Sequence, residues 1–210
     1  MAILFDLDGT LVDSSLGIMS AFSYCFETLN LPIPSDSQLR EFIGPPLETT
    51  FAAYFEKDDD INKAISLFRE YYDTKGVYQS TLYSDVKETL DFLRAHHIPL
   101  FITTSKNEPM AYRMLEYLEI NHYFTAIYGA LPNRYRKSDV IAACLAEHKL
   151  ATENTVILGD TIFDIFGGKD NSIKTIAASW GFGDRKTLED SQPDDIIDSI
   201  ESLKKVVDFN

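Results

Sequence analysis

Carboxylates at two places in this 210-residue sequence have the spacing that a cation site requires. Asp6 and Asp8 come directly after a short apolar run, and alternate residues of an extended chain project to the same side. Asp160 follows a later apolar run, and Asp164 lies one helical turn further on. Carboxylates held this close repel each other, and a divalent cation such as Mg²⁺, which prefers oxygen ligands, would relieve the repulsion. The alternatives are an acidic turn that caps a helix and a helix N-terminus that carries favourable acids.

Groups able to bind a phosphate follow two other predicted strands. After the apolar run at 100–103, the hydroxyls of Thr104 and Ser105 and the N–H groups of a helix start could hold phosphate oxygens, unless they only cap that helix. Three cations, unusual in so acidic a chain, stand close together before a later helix: Arg134, Arg136 and Lys137. One of them could neutralise a bound phosphate, or all three could belong to a solvated loop.

The apolar pattern predicts the elements that position these residues. Five short apolar runs indicate buried strands, at 2–5, 100–103, 126–128, 155–158 and 175–178. Helical spacing separates most of them, and a last helix is predicted from Ile196 to Val207. Alternating strands and helices favour α/β architecture, a doubly wound, Rossmann-like parallel sheet with helices on both faces. In such a sheet ligands bind at the carboxyl ends of the strands, and the glycine-rich segment 180–183 predicts a tight loop at that edge.

Residues 15–77 have a different pattern, with apolar residues at helical spacing and no strand signal. Proline and glycine divide this stretch into four helices, and the acidic run at 56–60 is interpreted as a solvated turn between two of them. We therefore predict two domains. Residues 1–14 and 78–210 form the α/β core, and residues 15–77 form an inserted helical cap.

Composition limits the classes of partner. The formal net charge is −14, and the sequence has no basic stripe of the kind that nucleic-acid binding requires. We expect neither a leader nor a membrane span, because the first apolar run reaches an aspartate after a few residues. Cys25 and Cys144 are far apart among apolar neighbours, which is typical of buried thiols in a reducing compartment. A cytoplasmic protein is the expectation.

Taken together, these segments resemble the haloacid dehalogenase-like hydrolase superfamily over essentially the whole chain. Four motifs carry the resemblance: Asp6-Leu7-Asp8-Gly9-Thr10, Thr104 after an apolar strand, Lys137 before a helix, and Gly159-Asp160 with Asp164. The segments 42–47 and 83–86 are similar to the branch with phosphoglycolate phosphatases and 5′-nucleotidase-like enzymes. The resemblance implies that the helical insert is a C1-type cap.

The resemblance also implies a Mg²⁺-dependent phosphatase and a role for each motif residue. Asp6 would be the nucleophile that forms an aspartyl-phosphate, and Asp8 the acid and then the base. The phosphate would be bound by Thr104, Ser105 and Lys137. The Mg²⁺ ion would be held by Asp6, Asp160 and the main-chain carbonyl of Asp8, and by Asp164 either directly or through water.

A second aspartate at position 8 favours phosphate ester chemistry over dehalogenation, because the dehalogenase members do not use one as an acid. The expected substrate is a small phosphorylated metabolite, most simply phosphoglycolate, for a monomer or homodimer. A 5′-nucleotidase and a pyrophosphatase of the same superfamily are the main alternatives. A sugar-phosphate mutase and a protein that binds a phosphorylated ligand without turnover stay open as further alternatives.

Overall fold

The computed structural model describes residues 1–45 and 47–206, and the chain divides into two compact units. One unit comprises Met1–Asp13 and the chain from Thr81 onward, and the other comprises Ser14–Ser80. The junctions lie within one and three residues of the predicted boundaries at 14/15 and 77/78.

The unit from Ser14 to Ser80 consists of helices packed on an aromatic core. Among its described residues, 14–45 and 47–80, the α-helices are α1 (Ser15–Thr28), α2 (Asp36–Glu41), α3 (Leu47–Ala52) and α4 (Asp58–Thr74). Phe22 of α1 lies at the centre, with the rings of Phe42, Phe51 and Phe68 at centroid distances of 5.1, 5.5 and 4.7 Å. Edge-on and tilted ring packing of this kind stabilises a small core beyond the area it buries.

The interpretation of 56–60 as a turn is wrong for its last three residues. Asp58, Asp59 and Asp60 form the first turn of α4, where negative charge interacts favourably with the helix dipole. An acidic run is compatible with either position, so composition alone did not decide between them.

The other unit contains a parallel sheet of six strands. The strands of this unit, in chain order, are β1 (Ala2–Phe5), β2 (Val12–Asp13), β3 (Thr81–Leu82), β4 (Leu100–Asn107), β5 (Ala126–Ala130), β6 (Thr155–Gly159), β7 (Lys174–Ala178) and β8 (Asp195–Ile197). The sheet order is β5-β4-β1-β6-β7-β8, and β2 and β3 form a separate antiparallel pair. The chain leaves β1 toward β4 on one side and later toward β6 on the other. The strand order therefore reverses beside β1, the position at which such sheets bind ligands.

Helices lie between these strands where the alternating pattern predicts them: α5 (Val86–Ala95), α6 (Glu108–Tyr117), α7 (Lys137–His148) and α8 (Ile162–Asp170). The pattern did not predict α9 (Arg185–Asp190), between β7 and β8, and α10 (Leu203–Val206) follows the last strand. Strand β1 is fully buried, as expected for a central strand covered on both faces. The predicted α/β, Rossmann-like fold class is confirmed. Over residues 1–45 and 47–206, every helix is too short or too polar to cross a bilayer.

The prediction of one helix from Ile196 to Val207 is wrong for its first residues. Ile196 and Ile197 belong to β8 and pair with Ala177 and Ala178 of β7, while Val207 lies outside the described residues. The pairing is reinforced because the Asp194 carboxylate accepts hydrogen bonds from the Thr175 backbone N–H and hydroxyl, both at 2.8 Å. Two adjacent isoleucines fit a helix or a strand, and contacts with a distant strand decided the outcome.

Strand β4 is longer than the predicted strand at 100–103. It continues to Asn107, which pairs with Ala130, after a shift of register that begins at Thr103. Thr104 and Ser105 therefore lie within the strand and not at the start of a helix. The residues after Thr103 are polar and give no apolar strand pattern, so the predicted strand ended at position 103.

Candidate active site at the carboxyl edge of the sheet

Three buried carboxylates meet at the carboxyl ends of β1 and β6. Asp6 follows β1 directly, Asp160 follows β6 directly, and Asp164 lies in the first turn of α8. One oxygen from each of the three lies within 4.8 Å of the others. The main chain fixes this arrangement, because the Asp6 N–H donates to the Leu158 carbonyl across the two strands at 2.9 Å.

Lys137 places an ammonium group between two of these carboxylates. Its Nζ lies 2.8 Å from Asp6 Oδ1 and 2.6 Å from Asp164 Oδ1, and it donates to the Thr103 carbonyl at 2.8 Å. The ammonium therefore has two carboxylates as ion-pair partners and one carbonyl as a hydrogen-bond acceptor. The Lys137 side chain is only 3% exposed, so its charge is balanced by these groups and not by water.

The acidity of the cluster reflects this crowding. Burial raises the pKa of Asp6 to about 6, although Lys137 opposes the shift. Burial raises the pKa of Asp160 to about 8, and the charges of Asp6 and Asp164 add to the shift. Burial acts against the charge of Lys137, but Asp164 and Asp6 outweigh it and its pKa lies above the ordinary value. The site thus holds more negative charge than one lysine balances, and its oxygen ligands fit a divalent cation.

Neighbouring residues hold Asp160 in place through both of its oxygens. Oδ1 accepts a hydrogen bond from the Thr10 hydroxyl, and Oδ2 accepts one from the Phe182 N–H, each at 2.8 Å. Gly9 has a φ of +83°, and a Cβ there would lie 2.1 Å from Asp160 Oδ2. The Trp180 indole N–H donates to the Thr10 carbonyl at 3.0 Å. The glycine-rich loop predicted for this edge therefore supports Asp160, and glycine at position 9 gives the space.

Asp164 divides its two oxygens between structure and site. Oδ2 accepts hydrogen bonds from the backbone N–H and the hydroxyl of Thr161, at 3.0 and 2.8 Å, and so caps α8. Oδ1 faces Lys137. The helix-cap interpretation is therefore confirmed for Oδ2, whereas Oδ1 lies in the carboxylate cluster.

Asp8 lies apart from the carboxylate cluster and pairs with a lysine that sequence reasoning did not select. The Lys106 ammonium donates to Asp8 Oδ1 at 3.1 Å and to Oδ2 at 2.9 Å. Lys106 stands two residues after Thr104 in β4, and alternate residues of a strand share a face. That spacing is the signal that could have identified it.

The predicted phosphate-binding residues have different surroundings. Thr104 is buried and hydrogen-bonds to the Asp6 carboxylate, and its hydroxyl oxygen accepts from the Lys106 N–H at 3.2 Å. Ser105 is exposed. Thr104 therefore belongs to the cluster in this structure, whereas Ser105 lies at its edge.

Of the three cations predicted before this helix, only Lys137, which is the first residue of α7, contacts the carboxylates. Arg134 pairs with Glu108 through Nη2, donates to the Gly129 carbonyl, and lies 5.1 Å from the centre of the Tyr128 ring. Arg136 is exposed. The position of Arg136 agrees with the solvated-loop interpretation. Arg134 instead stabilises the loop through its contacts with Glu108 and the Gly129 carbonyl.

The sequence pattern of the haloacid dehalogenase-like hydrolase family matches residues 3–178, which include every member of the cluster. The chain belongs to this family. A solved structure from Streptococcus pneumoniae, described as a haloacid dehalogenase-like family hydrolase, is 42% identical and superimposes with a TM-score of 0.94. The match covers 99% of this chain and 98% of that one.

Family members similar to this chain have several different names. Tyrosine-protein kinase PtkA of Mycobacterium tuberculosis is 33% identical over 86% of this chain, which spans only 62% of the length of that protein. A 5′-nucleotidase of Pseudomonas aeruginosa is 30% identical, with 98% of this chain and 95% of the nucleotidase covered. A phosphoglycolate phosphatase of Vibrio cholerae is 28% identical over 98% of this chain and 96% of its own length.

A further relative is pyrophosphatase PpaX of Oceanobacillus iheyensis, 31% identical over 98% of this chain and 95% of that protein. The predicted resemblance to the family and to its phosphatase branch is thus confirmed. The names do not converge on one substrate, so the leaving group has to be argued from the residues of this family member.

Proposed function

We propose that this chain is a Mg²⁺-dependent phosphatase that hydrolyses a small phosphate monoester through an aspartyl-phosphate. The observation that carries the proposal is the group of three buried carboxylates within 4.8 Å of one another, with Lys137 between two of them. A buried cluster with excess negative charge is a poor structural element but a good site for a cation and a phosphoryl group.

The residues that would hold Mg²⁺ are the side chains of Asp6, Asp160 and Asp164 and the main-chain carbonyl of Asp8. The bound ion would supply positive charge that lets an anionic carboxylate approach an anionic phosphate. The donor set fits this assignment, because all three side chains offer hard oxygens and the pKa values of Asp6 and Asp160 are raised in its absence.

Asp6 is the proposed nucleophile. Lys137 and Thr104 orient its carboxylate, so one oxygen can attack the phosphorus while the bond from phosphorus to the leaving oxygen breaks. Asp8, two residues away on the same loop, gives its proton to that leaving oxygen. Asp8 then takes a proton from water, the hydroxide attacks phosphorus, and the bond to Asp6 breaks to release inorganic phosphate.

Thr104, Ser105 and Lys137 are the proposed ligands of the transferring phosphoryl oxygens. The buried Lys137 ammonium adds charge stabilisation where negative charge develops, and the hydroxyls add directed hydrogen bonds. Ser105 is exposed at the edge of the cluster, so its hydroxyl is the group that would reach a ligand there.

Phosphoglycolate is the substrate we favour within this class. A phosphoglycolate phosphatase is among the relatives that match nearly the full chain, as are a 5′-nucleotidase and a pyrophosphatase, which are the alternatives. A mutase would transfer the phosphoryl group from Asp6 to a second hydroxyl and release little phosphate. A binding protein without turnover would retain the ligand unchanged.

The test is phosphate release from a panel of phosphoglycolate, pyrophosphate, nucleoside monophosphates and sugar phosphates, ranked by kcat/KM. Activity should require Mg²⁺, cease with chelator and return when Mg²⁺ is restored. Asp6→Asn should remove turnover while leaving the circular dichroism spectrum unchanged. Substantial activity in Asp6→Asn, or activity indifferent to chelator, would contradict the mechanism.

A further inference from the structure

A second lysine, Lys106, lies beside Asp8, the residue that we propose gives its proton to the leaving oxygen. Its ammonium donates to both carboxylate oxygens of Asp8, at 3.1 and 2.9 Å. The Lys106 side chain is 8% exposed and that of Asp8 is 21% exposed. Lys106 therefore carries a largely dehydrated charge at the side of the site where the leaving group departs.

Lys137 and Arg134, the other two cations described at this edge, already have carboxylate partners. Lys137 contacts two carboxylates and a carbonyl, and Arg134 is held by Glu108 and the Gly129 carbonyl. Lys106 contacts Asp8, whose carboxylate must turn at least one oxygen toward the leaving group during the reaction. That turn removes an acceptor from Lys106, and a dehydrated ammonium that loses an acceptor is costly unless another negative group replaces it.

We propose that Lys106 makes the site selective for substrates whose leaving group carries a negative charge close to the bridging oxygen. A carboxylate or a second phosphate in that position accepts the hydrogen bond that Asp8 gives up. This inference rests on the proposed phosphatase function and narrows its substrate class to phosphoglycolate-like and pyrophosphate-like molecules, with neutral alcohols as poor leaving groups.

The test compares two substrates that differ at one group. 2-Phosphoglycolate has a carboxylate where 2-hydroxyethyl phosphate has a neutral hydroxymethyl group, and the reacting phosphate is otherwise the same. The wild-type enzyme should favour phosphoglycolate in kcat/KM. Lys106→Met keeps most of the side-chain volume without the charge, and should reduce the ratio of the two kcat/KM values at least about tenfold, as expected for a charged hydrogen bond.

Two variants serve as controls. Lys106→Arg retains the charge and should keep most of the preference. Lys186→Met removes a lysine that also pairs with an aspartate, Asp190, at 2.6 Å, but whose side chain is 78% exposed, so it should change neither kcat/KM value. Because the readout is a ratio within one enzyme preparation, a partly unfolded variant does not distort it, and Lys106→Gln replaces a methionine variant that fails to fold.

The outcomes separate this inference from the function on which it rests. A lower ratio in Lys106→Met with retention in Lys106→Arg supports the inference. Equal losses on both substrates would mean that Lys106 only positions Asp8, and an unchanged ratio would mean that it has no role in selection; each overturns the inference while the phosphatase stands. Hydrolysis of neither substrate by the wild-type enzyme contradicts the phosphatase proposal and this inference together.

Discussion

The two lysines of the site contact their aspartates in different ways. Lys137 is 3% exposed and is held by two carboxylates and a main-chain carbonyl. Lys106 pairs with Asp8, a carboxylate that is 21% exposed and lies outside the buried cluster. The first lysine balances charge that cannot reach water, whereas the carboxylate beside the second can turn to another partner. One pair therefore fixes the site, and the other can respond to what is bound.

The largest effect that would test this difference is expected from Lys137→Met. The change leaves Asp6 and Asp164 buried without their shared cation, which for a buried ion pair destabilises a protein by about 3–5 kcal/mol. Urea unfolding of the metal-free protein measures the loss. Phosphate release should also fall by at least about a thousandfold, since Lys137 contacts Asp6, the proposed nucleophile. A variant as stable as the wild type would mean that the cluster adjusts its protonation and does not depend on Lys137.

Metal removal should produce the next largest effect. If the cluster binds Mg²⁺ only in the folded state, as proposed, the ion at one hundred times its dissociation constant should raise the free energy of unfolding by about 2.7 kcal/mol. Trp180, the only tryptophan in the sequence, donates to the Thr10 carbonyl, and the Thr10 hydroxyl donates to Asp160. Its fluorescence should therefore follow a Mg²⁺ titration.

Asp160→Asn provides the matched control for that titration. It retains a side chain of nearly the same size but removes a charged ligand, so both the fluorescence change and the stabilisation should weaken strongly. An equal response in wild type and Asp160→Asn would place the binding of Mg²⁺ elsewhere.

The metal-free cluster should also respond to pH. In the fold the pKa of Asp160 is raised to about 8, well above the ordinary value of about 3.9 in an unfolded chain. The folded state therefore binds more protons than the unfolded state between these values, and stability falls as pH rises from about 4 to about 8. Urea unfolding of the wild type against Asp160→Asn isolates this contribution. The free energy of unfolding of the wild type minus that of Asp160→Asn should fall as pH rises. A value of this difference that stays constant or rises would contradict the prediction.

The sequence predicted the cluster because its members depend on strand order and strand ends. Asp6 and Asp160 each follow an apolar run, and in a parallel sheet such ends meet at one edge whatever their separation along the chain. Lys137 followed from the same logic, as the residue before a helix at that edge. These predictions needed no distances between side chains.

The parts that could not be predicted depend on contacts with no local pattern. Trp180 and Thr10 are 170 residues apart, and nothing in either segment indicates their hydrogen bond. The isoleucines of β8 form a strand because β7 lies beside them. Lys106 of β4 had a spacing signal of its own, two residues after Thr104, but its pairing with Asp8 joins residues 98 positions apart and has no local pattern.

The smallest stability effect should be that of Lys106→Met, about 1 kcal/mol in urea unfolding, the upper range for a pair whose carboxylate reaches water. This value helps to decide whether Lys106 only holds Asp8 in position or also selects the leaving group of the substrate. A loss as large as that of Lys137→Met would mean that Lys106 is a fixed part of the buried charge balance, so its pairing with Asp8 could not open for a leaving group. A small loss together with a changed substrate ratio would instead identify a cation whose contact is exchanged during each turnover.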